Sequence, residues 1–233
     1  MNTNKAVISG DVIAFTSLKE TDRYRVESAL KEVLSELETK YNGYGRIIKG
    51  DYLECYLPDP KTALRSALII KCFLKSIKLS ENYSQNKRVA LFKTRAIRLA
   101  VGIGKISRFD PQNGVIDGEA IYFSGRIINE ITSQDKGKSP VKESFFVRTF
   151  NDEITNRLEP VFSLLDHLLS KTTAKQSEVL YYKLAGLNEE AIASKMKILQ
   201  PTVNQHSTSA GWNAIEKAVL NYENLINFNM EQT

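Results

Sequence analysis

Two aspartates and one row of amide side chains are the residues of this sequence whose types and spacing could do chemistry. Asp11 follows the run Ala6-Val7-Ile8-Ser9-Gly10. Asp51 sits in Lys49-Gly50-Asp51, between Arg46-Ile47-Ile48 and Tyr52-Leu53-Glu54-Cys55-Tyr56-Leu57. Carboxylates brought together by neighbouring strands can hold Mg2+ or Mn2+, which take oxygen ligands and bridge nucleotide phosphates. Aspartate is also common at strand ends and in tight turns for purely structural reasons, so spacing alone leaves both roles open. Further on, Gln200, Thr202, Asn204, Gln205 and Thr208 stand close together, with Lys197 just before them. Asn and Gln can read adenine edges in the major groove, and hydroxyls reach phosphates or bases.

The elements that must position these residues can be read from pattern. Residues 6–15 are rich in β-branched types and predict a buried strand. Ser17 and Glu20 stand at capping-box spacing. Val26, Ala29, Leu30, Val33, Leu34 and Leu37 then recur at helical spacing. Arg46–Ile48 and Tyr52–Leu57 read as a hairpin whose Gly50 and Asp51 suit positive φ. Asp59 caps a helix expected over 61–79. The polar, basic stretch 80–94 reads as a loop or a projecting arm. A strand over 96–104, a turn at 111–114, a helix over 120–131 and a last strand over 144–148 complete the pattern. The order is β-α-β-β-α-β-α-β, which predicts an α+β, ferredoxin-like sheet with helices on one face. After residue 150 only helical periodicity remains. The expected domains are therefore 1–150, α/β, and 151–233, a linking helix over 158–169 and an all-α unit.

Three segments of the first part resemble class III nucleotide cyclases. Ser9-Gly10-Asp11-Val12-Ile13-Ala14-Phe15-Thr16-Ser17-Leu18 is similar to their first metal-binding segment, and Lys49-Gly50-Asp51 to their Gly-Asp hairpin. Gly118-Glu119-Ala120-Ile121-Tyr122-Phe123-Ser124-Gly125-Arg126 is similar to the start of the helix that carries their Asn and Arg. The Gly-Asp start is also similar to that of SatD-like proteins. The resemblance implies a ferredoxin-like cyclase-type sheet, Mg2+ or Mn2+ at Asp11 and Asp51, a candidate catalytic Arg126, a nucleotide held through Lys49 and Arg126, and a homodimer. Two departures count against catalysis. Tyr122 replaces the family's Asn, and Ile47 stands where the family selects its purine, a position an aliphatic side chain cannot serve.

Residues 173–206 resemble the helix-turn-helix of LuxR-type regulators and of sigma-factor region four. Gly186 ends one helix, Asn188 caps the next and Pro201 fits a first helical turn. Lys197, Gln200, Thr202, Asn204, Gln205 and Thr208 are then the residues implied to meet DNA. The recognition segment itself carries no Lys or Arg, although most DNA affinity comes from such charges; Lys175, Lys195 and Lys197 flank it.

The 233 residues carry a net charge of +5, with the basic excess before residue 150. Neither the two cysteines nor the two histidines form a zinc-binding spacing. No apolar run approaches a bilayer span, and no leader pattern opens the chain, so a cytoplasmic location is expected. The leading expectation is a DNA-binding transcriptional regulator whose cyclase-like domain is catalytically inactive and serves sensing or dimerisation. The alternative is an active, metal-dependent cyclase of ATP or GTP with a regulatory helical tail.

Overall fold

The computed structural model describes residues 4–80, 83, 86–134 and 141–231. Strand β1 (Lys5–Val12) leads through one 3-10 turn at Phe15–Ser17 into α1 (Glu20–Tyr41). The expected Ser17–Glu20 capping box does not form: Lys19 precedes the helix and no side chain caps it. The hairpin of β2 (Tyr44–Ile48) and β3 (Tyr52–Leu57) follows. Its positive-φ residues are Lys49 (58°) and Gly50 (79°), one place earlier than expected.

Helix α2 (Ala63–Ser76) comes next. The stretch expected to be a loop instead contains α3 (Lys87–Arg95), started by the Asn86 side chain, which accepts from Arg88 and Val89 backbone N–H. Val89 and Phe92, three apart on its inner face, are buried and outweigh the polar residues around them. Residues 81, 82, 84 and 85 of that stretch lie outside those described. Strand β4 (Ile97–Gly104), a small hairpin of β5 (Ile106–Asp110) and β6 (Val115–Gly118), helix α4 (Glu119–Gln134) and β7 (Phe145–Thr149) complete the α/β part.

The main sheet has the order β2-β3-β1-β4-β7. Its first four strands are antiparallel neighbours, as a βαββαβ chain demands, and β7 adds in parallel to β4. Alternation splits β1 cleanly: Ala6, Ile8 and Val12 face the main core with α1 and α2, whereas Val7 joins Tyr56, Ile116 and Ala120 on the other side. Helices therefore cover both faces, not one. Gly102 is the physical reason. A Cβ there would lie 2.0 Å from the Ala120 carbonyl oxygen, so only glycine lets α4 sit directly on the sheet.

Five helices then build the described second part: α5 (Asp152–Lys171), α6 (Ala174–Leu184), α7 (Glu189–Met196), α8 (Gln200–Ser209) and α9 (Trp212–Glu231). Leu158, Phe162 and Leu165 of α5, Leu180 and Leu184 of α6, and Ile215, Val219 and Tyr222 of α9 join the same core as the sheet. A buried polar knot pins α5 down. Asp166 accepts from the Ser144 N–H and hydroxyl, pairs with Lys71 at 3.3 Å, and pairs with Arg95. Lys71, Asp166 and Ser144 are each at most 1% exposed.

Candidate functional site

Asp11 ends β1 opposite Tyr52 on one side and Arg98 on the other. Directly paired residues project to the same face, so the three side chains share the face that α4 covers. Arg98 Nη1 donates to Asp11 Oδ2 at 2.9 Å, and Arg98 is buried. Ser9, one pleat earlier, hydrogen-bonds Ser124 of α4 at 2.8 Å. Next to it, Arg46 Nε donates to Glu54 Oε2 at 2.7 Å.

The hairpin brings the backbone of Asp51 beside β1, where the Val12 N–H donates to its carbonyl at 2.9 Å. The Asp51 carboxyl lies in a different environment from that of Asp11. Burial pushes its pKa up, Glu27 adds to the rise, and Lys49 opposes it. A carboxylate ligand must be ionised to take a cation. Asp11 already has a guanidinium as its counter-ion. Among the described residues no group of three His, Cys, Asp or Glu could hold a metal ion.

Lys49 and Arg126 are both exposed. Tyr122 is 52% exposed and donates its hydroxyl to Asp117 Oδ1 at 2.5 Å. Ile47 packs against the main core with Leu53 opposite it, facing away from Asp11. Sequence reasoning missed Arg98. Its signal was visible as a lone charge inside the apolar run 97–104.

The second cluster is more complete. The Thr173 hydroxyl and Gln176 side chain form a reciprocal capping box at the start of α6. Asn188 Oδ1 accepts from the Ala191 N–H at 2.8 Å and starts α7. Three residues separate α7 from α8, and Lys197 among them takes a left-handed conformation (φ 54°). Val179, Ile192, Ala193 and Val203 form a private core under Leu187, Met196 and Ile198, so α6, α7 and α8 close on one another. Within α8, Val203 and Ser207 point inward. Gln200, Asn204, Gln205 and Thr208 are exposed, Thr202 is half-buried, and Lys197 is exposed at the turn. Trp212 opens α9. Lys195 lies over the Tyr182 ring at 5.7 Å and Lys183 over the Trp212 ring at 5.5 Å.

Glu189 is a residue the sequence did not single out. Its carboxylate accepts from Lys183 Nζ at 2.8 Å and from Gln200 Nε2 at 2.5 Å. The hydrogen bond from Lys183 holds its pKa below the usual carboxylate value, against the opposing effect of desolvation, and bonds from Gln200 and Asn204 add to the lowering.

No family model matches the sequence, and no curated protein matches it. Among solved structures, the chain is similar to a bacterial light-regulated adenylyl cyclase at 13% identity and TM-score 0.43, over 63% of this chain and 75% of that one. It is similar to a dimeric guanylyl cyclase domain of a fusion protein from the aquatic fungus Blastocladiella emersonii at 17% identity and TM-score 0.39, over 54% and 72%. It is also similar to an adenylate/guanylate cyclase/hydrolase from Silicibacter pomeroyi at 20% identity and TM-score 0.38, over 64% and 90%. Identities and TM-scores of this size transfer neither activity nor ligand to this chain.

Proposed function

We propose that the chain is a double-stranded DNA-binding regulator that reads sequence through α8, carried on a cyclase-like α/β unit that does no cyclisation. One observation carries this reading: α7, a three-residue turn and α8 pack on their own small core while Gln200, Asn204, Gln205 and Thr208 stay exposed along α8. A helix so presented fits the major groove, where amides pair with base edges. Lys175, Lys195 and Lys197 supply cations beside it for phosphates, and the basic α/β part adds to the field.

The enzyme reading is weaker because Asp11 is already paired with Arg98 at 2.9 Å. Among the described residues no helix is long and apolar enough to cross a membrane. A homodimer binding two half-sites would double the contacts of a helix that has few charges of its own.

A mobility shift on genomic fragments at two salt concentrations tests the reading. Specific complexes should form at low salt and weaken as salt rises, because each phosphate contact releases a counterion. Asn204→Ala with Gln205→Ala should abolish the specific band and leave folding unchanged. No complex on any fragment at low salt would end the proposal.

A further inference from the structure

We propose that Glu189 fixes the orientation of two amide readers and so makes α8 select adenine at two neighbouring positions; this rests on the DNA-binding reading above. The Glu189 carboxylate stands in the first turn of α7 and meets three donors. Lys183 Nζ reaches Oε1 at 2.8 Å, Gln200 Nε2 reaches Oε2 at 2.5 Å, and Asn204 Nδ2 reaches Oε1 at 3.4 Å. The pair is sheltered, with the Lys183 side chain 13% and the Glu189 side chain 22% exposed.

An ionised carboxylate accepts and cannot donate. That removes the usual ambiguity of a carboxamide, whose oxygen and nitrogen can exchange places by a half-turn. Here the half-turn would set the oxygens of Gln200 and Asn204 against a negative charge. Both amides must therefore point nitrogen toward Glu189 and oxygen away from it.

Each amide nitrogen has two hydrogens. The proposed arrangement gives the one directed back toward the side-chain stem to Glu189. The other lies beside the carbonyl oxygen on the outer edge. That edge offers one acceptor and one donor side by side. Adenine presents the complement in the major groove, an N6 amino donor next to the N7 acceptor. Guanine presents two acceptors, O6 and N7, and would meet the fixed carbonyl oxygen with repulsion. Gln200 and Asn204 are four apart on one helix and lie on one face, so they address neighbouring base pairs. Glu189 touches no base. It is a positioning residue, and Lys183 keeps it charged.

The test is a binding selection from a randomised duplex library with the full chain, comparing wild type, Glu189→Gln, Gln200→Ala and Asn204→Ala. Wild-type sites should carry adenine at two fixed positions, and guanine at either should weaken binding about 10-fold. Each alanine variant should lose the preference at one position only. Glu189→Gln, whose own amide both donates and accepts, should let the readers turn over. Its discrimination should fall to about 2-fold, with low-salt affinity for arbitrary duplex unchanged or higher. Wild-type binding without adenine preference, or full preference in Glu189→Gln, overturns the orientation claim while leaving DNA binding intact. No retention of any duplex by the wild type overturns both. Should Glu189→Gln fail to fold, side-chain amide NMR of the wild type decides: one NH2 proton each of Gln200 and Asn204 should be protected and lose protection as Glu189 protonates in acid. Unprotected amides throughout would overturn the assignment.

Discussion

Arg98 and Asp166 show how a single charge settles what its neighbours can do. Arg98 holds Asp11 in an ion pair of 2.9 Å, so the carboxylate best placed for a cation has an organic one already. Incubated with ATP or GTP and Mn2+, the protein should release no pyrophosphate above the protein-free control in a coupled assay. Asp166 plays the opposite part, as an anion paired with both Lys71 and Arg95. Asp166→Ala leaves two cations facing each other in the core and should cost about 3–5 kcal/mol in urea unfolding.

The acid response follows from the same carboxylate and from Asp22. Burial alone would raise both pKa values. Ser80 and Tyr83 around Asp22, and Lys71, Ser144 and Arg95 around Asp166, outweigh it, and both are lowered. A depressed folded pKa stabilises above the unfolded value and is lost as pH falls through the folded one. Melting temperature should therefore hold down to about pH 4 and fall below it, where carboxylates take up protons. Asp22→Asn should flatten part of that fall, and an unchanged acid limb would contradict the assignment.

At the scale of elements, the turn between α7 and α8 has a measurable conflict built into it. Lys197 adopts the left-handed region, which costs a residue with a Cβ about 1 kcal/mol. Lys197→Gly should raise stability by about that amount and lower duplex affinity, since a cation is lost. The two readouts moving the same way would show that the lysine is not at the DNA surface.

Elements were legible where a local rule governs them. Asn188, Gly186 and Pro201 marked the helical boundaries of the second part from type alone, and the alternation of β1 was plain. Three features were not read. Helix α3 was hidden because Val89 and Phe92 are its only buried apolar residues. The β5–β6 hairpin is short, and Ser107, Arg108 and Phe109 are exposed. The placement of α4 across the second face depends on Gly102 meeting Ala120, a contact between residues 18 positions apart in sequence, which no periodicity encodes. Arg98 and Glu189 were passed over for a related reason. Their partners come from other strands and helices, and sequence spacing does not reveal which charges will meet.

At the scale of the molecule, one apolar core runs from the sheet through α5, α6 and α9. Phe73 of α2 stacks near Tyr181 of α6 at 4.8 Å between ring centroids. The Tyr222 hydroxyl of α9 donates to the Pro60 carbonyl at 3.0 Å. A core without an internal break predicts one cooperative transition. The single tryptophan, Trp212, reports on the helical part, and far-UV circular dichroism reports on the whole chain. Their urea midpoints should coincide, and two separated midpoints would show that the helices unfold independently of the sheet.

The side-chain ties between α1 and α6 have a mechanical consequence. Tyr181 bonds Glu36, and Lys40 bonds the Ala185 carbonyl, so α6 is bolted to the sheet's own helix rather than hung from a tether. If α8 reads duplex DNA as proposed, it does so from a mount with one reach. Two copies joined through any face would behave as a fixed caliper on the duplex, gripping sites of one pitch and losing hold when a few base pairs are inserted between them.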